Sequence, residues 1–132
     1  MSKWIGVALD GTLAQASKDN VGAIGLPVEA MMTRVKGWMN DGDYEVRIVT
    51  PRAGEMSGAG KVKDWLGRNG LGGLQVTNVI DRDMIELWGC KAVRVERNKG
   101  KVCEGCGNAE RTESGFSHRK YTMAHIPTQT DC

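Results

Sequence analysis

Three short stretches carry side chains that can do chemistry together: Asp10-Gly11-Thr12, Thr50-Pro51-Arg52 and Asp81-Arg82-Asp83. Carboxylate, hydroxyl and guanidinium groups are what a phosphate and a divalent ion require. Thr50, Arg52 and the Gly11-Thr12 turn would hold phosphoryl oxygens, and the oxygens of Asp10, Asp81 and Asp83 would hold Mg2+. Gly11 lets the backbone approach a bound group closely. Such a set acts only if a fold brings its members to one place. A second capable group lies near the end of the chain. There Cys103-Glu104-Gly105-Cys106-Gly107 is a tight Cys-x-x-Cys turn, with Cys90 upstream and His118, His125 and Cys132 downstream.

The elements that must position the first set can be read from hydrophobic periodicity. Trp4 to Leu9 is a short apolar run, a buried strand that stops at Asp10. Residues 14 to 26 are a small, polar loop, placed where a flap over a site would start. Pro27 opens a helix on which Val28, Met31, Met32, Val35, Trp38 and Met39 form one apolar stripe. Tyr44 to Val49 is a second strand that runs into Thr50. Val62, Trp65 and Leu66 mark a second helix, with Gly70 as its cap. Leu74 to Ile80 is a third strand. Asp81 then begins a brief helical turn with Met84, Ile85 and Trp88 facing inward, and Lys91 to Val95 is a fourth strand.

This alternation predicts an α/β fold, a small doubly wound parallel sheet of Rossmann type with helices on both faces and right-handed crossovers. Ligands of such sheets sit at the carboxyl ends of the strands. Asp10, Thr50 with Arg52, and Asp81 with Asp83 are therefore expected to meet on one rim. From Arg97 onward the pattern fails: six Lys or Arg accompany four Asp or Glu, and apolar residues become sparse. The expected organisation is an α/β domain over 1–98 and a polar, cysteine-containing tail over 99–132.

The 132 residues suffice for one hydrophobic core. With 40% hydrophobic and 26% charged residues the chain has an ordinary globular composition, and a net charge of +2 does not by itself argue for nucleic acid or membrane. No apolar run approaches the roughly 18 residues that span a bilayer, and the amino terminus enters the first strand without a signal-peptide pattern. No membrane partner is expected, and the cytoplasm is the expected location.

The run Val7 to Thr12, the Thr50 strand end and the Asp81 turn resemble the signature of the haloacid dehalogenase superfamily of phosphohydrolases, over about residues 3 to 98. The likeness is nearest to small phosphatases of phage and bacterial genomes. Met84 to Trp88 followed by Ala92 to Val95 also resembles the phosphatase half of polynucleotide kinase phosphatases. The resemblance implies a Mg2+-dependent phosphomonoester hydrolase acting on a phosphorylated small molecule or a nucleic-acid end. In its first motif, Asp-x-Asp-Gly-Thr, the first aspartate attacks phosphorus and the second moves protons. Here Asp10 matches the second, Gly11 and Thr12 the turn, Thr50 the hydroxyl of the second motif, and Asp81, with Asp83 as a substitute, the metal ligand of the fourth.

Ala8 occupies the nucleophile position, and a methyl group neither attacks phosphorus nor coordinates Mg2+. The lysine that relatives carry before the Asp81 position is Ile80, leaving Lys61 or Lys63 to supply the cation. Two explanations follow: an active phosphatase inactivated at position 8 by design, or a natural pseudoenzyme that holds a phosphate ligand or a partner. The tail has its own expectation, a structural Zn2+ held by Cys103 and Cys106 with two ligands from His118, His125, Cys90 and Cys132. A Cys103–Cys106 disulfide and unligated thiols are the other readings of the same residues.

Overall fold

The computed structural model describes residues 3–16 and 22–106 in full, and residues 107, 109–112 and 115–118 as backbone. The chain divides into two compact units, Met1–Gly89 and Cys90–Cys132. The division falls ahead of the expected boundary at 98/99.

The first unit is built on a sheet of four parallel strands in the order β3-β2-β1-β4. Strand β1 is Trp4–Ala8, β2 is Glu45–Val49, β3 is Gln75–Thr77 and β4 is Met84–Trp88. Helix α1, Glu29–Asp41, joins β1 to β2, and helix α2, Gly58–Arg68, joins β2 to β3. Strand register explains how one core forms. Ile5 lies beside Val46 and Val7 beside Ile48, so these four residues share a face of the sheet. They belong to the same buried cluster as Met31, Met32 and Val35 of α1 and Val62, Trp65 and Leu66 of α2.

Both helices therefore cover one face. Two consecutive crossovers stepping the same way across a sheet put their helices on the same side. Among the described residues of this unit, the face carrying Trp4, Gly6 and Ala8 has no helix against it. Helical cover on both faces was expected. The difference arises because the chain returns from β3 to β4, the opposite edge, through the short link 78–83 instead of through a helix.

Two further expectations are corrected here. Met84 to Trp88 is a strand paired with β1, not a helical turn, and 91–95 is irregular apart from a bridge at Val95. In β4, Glu86 and Trp88 face the core side beside Ile5 and Val7, and Leu87 points the other way beside Gly6. That alternation stabilises an edge strand, and a five-residue helix would bury less.

The second unit contains an antiparallel bridge between Val95 and Val102, a single helical turn α3 at Glu104–Gly107, and a hairpin of β5, Ala109–Thr112, with β6, Gly115–His118. Strand β6 packs against α3. No helix among the described residues is long and apolar enough to cross a membrane.

Candidate functional site

At the carboxyl rim β1 runs into a tight turn. The carbonyl of Leu9 accepts from the N–H groups of Thr12, Leu13 and Ala14 at 3.2, 3.0 and 2.9 Å, and Gly11 at the tip has φ +86°. A left-handed residue there favours glycine. Leu13 and Ala14 are fully buried, so the turn is anchored from below while Asp10, Gly11 and Thr12 stay half-buried at its surface. Next to it β2 ends at Thr50, buried to 1% exposure, whose N–H donates to the Thr77 carbonyl. The Thr50 hydroxyl accepts from the Arg52 N–H at 3.2 Å, capping the 3-10 turn Pro51–Gly54. That cap turns the Arg52 side chain toward β1.

Arg52 is the hub of the rim. Its Nε donates to Asp10 Oδ2 at 2.8 Å and its Nη2 to Asp10 Oδ1 at 3.0 Å, a two-point guanidinium–carboxylate pair. Nη1 and Nη2 also donate to the carbonyls of Gly22 and Ala23 at 2.8 and 3.1 Å. The loop after the first turn is thus tied back over the rim. The bond to Asp10 raises the Arg52 pKa further above its already high value. Asp10, Thr50 and Arg52 are together, as the sequence implied.

Asp81 and Asp83 are not with them. They precede β4, and in a parallel sheet what precedes a strand lies at the amino rim. Asp81 Oδ1 accepts from the indole Nε1 of Trp4, the first residue of β1, at 2.7 Å, and the Trp4 N–H donates to the Asp83 carbonyl at 2.9 Å. Arg47 Nη1 reaches Asp81 Oδ2 at 3.3 Å, and Lys3 approaches Asp83 at 3.6 Å. The length of β1, about 13 Å for four residue steps, separates these carboxylates from Asp10.

The Mg2+ ligand set expected from Asp10, Asp81 and Asp83 is therefore not assembled. Ala8 at the end of β1 offers a methyl group, and Gly89, whose added Cβ would sit 3.4 Å from that of Ala8, offers nothing. Among the described residues no three His, Cys, Asp or Glu side chains converge. The described residues at this rim do not fit a divalent ion.

Asp81 has a structural role instead. The Trp4 indole N–H, followed by the Asp83 N–H and Arg47, holds its carboxyl below the usual aspartate range. A lowered folded-state pKa stabilises above the unfolded value of about 3.9 and loses that contribution as pH falls through the folded value. Thermal melts of Asp81→Asn against pH are expected to show a lower Tm at neutral pH and a shallower decline below about pH 4 than the parent.

Beside the rim, α2 and residues 22–24 enclose an open groove of about 950 Å3. Among the described residues, Lys61, Lys63 and Arg68 line it with a single acidic residue, Asp64. Trp65 fixes one wall by donating from Nε1 to the Gly25 carbonyl at 3.0 Å. Lys63, expected at the ligand, lies in this wall with Lys61. Arg68 and the loop were missed, although Lys61, Asp64, Trp65 and Arg68 recur at helical spacing and so share a face.

In the second unit Cys103 and Cys106 are buried, and neither is in a disulfide. Burial pushes the Cys106 thiol up. Cys90 is half-buried and likewise not disulfide-bonded. His118 is the last residue of β6. His125 and Cys132 lie outside the described residues. Comparison with protein-family models, with curated proteins and with solved structures found no match.

Proposed function

We propose that the chain is a phosphate-binding module on a haloacid dehalogenase-like scaffold, one that holds its ligand without hydrolysing it. The observation that carries this reading is the state of Asp10. Both of its oxygens are engaged by Arg52, and the neighbouring strand-end position is the methyl of Ala8. With both oxygens accepting from one guanidinium, the carboxylate is not presented to a leaving group. Among the described residues no other carboxylate at the rim stands in for the missing nucleophile. Binding needs neither. The Lys61, Lys63 and Arg68 cations give the groove a positive field beside the rim, and its volume suits a nucleotide-sized ligand or a nucleic-acid end.

Restoring the nucleophile tests the reading. Ala8→Asp is expected to release no phosphate above buffer background from an aryl phosphate or from nucleoside monophosphates with Mg2+ present. Calorimetric titration of the parent with nucleoside monophosphate is expected to show binding that weakens as salt is raised. Lys61→Ala, Lys63→Ala and Arg68→Ala should each weaken it about two- to fivefold, the scale of exposed charge contacts. Mg2+-dependent turnover by Ala8→Asp that Asp10→Asn then abolishes would overturn the proposal in favour of an active phosphatase inactivated at position 8.

A further inference from the structure

Among the described residues of the second unit, the stretch from Cys90 to Cys106 buries little apolar surface. Between Cys90 and Cys106 its apolar side chains are exposed or half-exposed, with Val95 at 52% and Val102 at 40%. The buried side chains of that stretch are those of Cys103, at 4%, and Cys106, at 9%. Within this described stretch the buried side chains are therefore two thiols, the donor type that a structural metal takes, and these cysteines are not disulfide-bonded.

The backbone is arranged around the two sulfurs. The Glu96 N–H donates to the Lys101 carbonyl at 2.7 Å, and positive φ values at Asn98 and Gly100 reverse the chain between them. This brings Arg94 beside the Cys-x-x-Cys turn. The Cys103 N–H donates to the Arg94 carbonyl at 2.9 Å, and the Arg94 N–H donates to Cys106 Sγ at 3.4 Å. Residues 104–107 form one helical turn, which places the two cysteines on the same side. An amide directed at a cysteine sulfur is the kind of outer contact that orients a thiolate ligand and offsets its charge. Strand β6, which packs against this turn, ends on His118.

We propose that Cys103 and Cys106 are two ligands of a structural zinc ion that holds the second unit together. Binding displaces the two thiol protons, leaving two thiolates on Zn2+ in a tetrahedral site completed by two further ligands. Neither cysteine belongs to the first unit, so the zinc site stands or falls apart from the phosphate-binding proposal.

The test is made on the full-length chain, purified without chelator and under reducing conditions. Elemental analysis is expected to find about one zinc per chain. Replacing zinc by Co2+ should give the intense visible bands and sulfur-to-metal charge transfer of a tetrahedral thiolate site. Cys103→Ser and Cys106→Ser should each cut bound zinc at least about tenfold. Strong chelation should open the second unit, but not the first, to protease. Parallel Cys90→Ser, His118→Ala, His125→Ala and Cys132→Ser variants then identify the other two ligands through their lost zinc. Less than about half an equivalent of zinc in the parent, or a Cys103–Cys106 disulfide in anaerobically purified protein, would overturn the proposal.

Discussion

Gly58→Ala is expected to lower the stability of the first unit by about 3 kcal/mol, near the upper end for overpacking. The loss of Tm should be on the order of 10 °C in a thermal melt. Gly58 opens α2 directly after the Arg52 turn. A Cβ there would lie 1.8 Å from the Arg52 carbonyl oxygen and 2.9 Å from its carbon. Both atoms are backbone, so no rotamer change relieves the clash. The 3-10 turn must shift, and with it go the Thr50 cap and the two-point grip on Asp10. Binding of nucleoside monophosphate should fall along with stability if the rim belongs to the site. Gly60 and Gly67 lie in the same helix and are the controls, because an added Cβ at either meets nothing within 4 Å. Alanine at those positions should be neutral or stabilising by about 0.5–1 kcal/mol, since glycine is the poorer helix former.

Trp4→Ala should cost about 3–5 kcal/mol, the range for emptying a large core site. Trp4 is fully buried although, among the described residues of its unit, no helix lies against its face of the sheet. Its ring is covered by the Arg47 guanidinium, 4.5 Å from the centroid, and its indole N–H is taken by Asp81. Trp4→Phe separates the two contributions, because it keeps most of the ring and deletes the donor. Denaturant unfolding of Trp4→Phe, Asp81→Asn and the double variant should give non-additive losses, with the second substitution costing less once the first is made. Additive losses would show that the Trp4–Asp81 bond contributes nothing of its own.

Much of this architecture was legible in the residues. The β1 run, the apolar stripes of α1 and α2 and the strand that leads into Thr50 are periodic signals, and burial enforces such periods. The meeting of Asp10, Thr50 and Arg52 followed from a general property of parallel sheets. The error at Asp81 has a local physical cause. The third strand was expected to continue to Ile80, but the Thr77 hydroxyl accepts from the Val79 N–H at 3.0 Å and turns the chain out of the ladder. Asp81 then no longer follows a strand; it leads into the next one. Met84 to Trp88 is a short apolar run in which a strand and a helix cannot be told apart by period alone. The commitment of Arg52 to Asp10 was also hidden, because a sequence shows which charges are present and not which of them satisfy each other.

The order of the strands has a consequence for synthesis. The first strand to leave the ribosome ends at the centre of the sheet, and one of its flanks stays unpaired until residues 84–88 have followed. Until then the nascent chain offers an exposed row of backbone donors and acceptors to any extended peptide nearby. A release or pause before that point would leave the hazard uncovered, so chains truncated after Thr77 should be the aggregating species in a translation reaction.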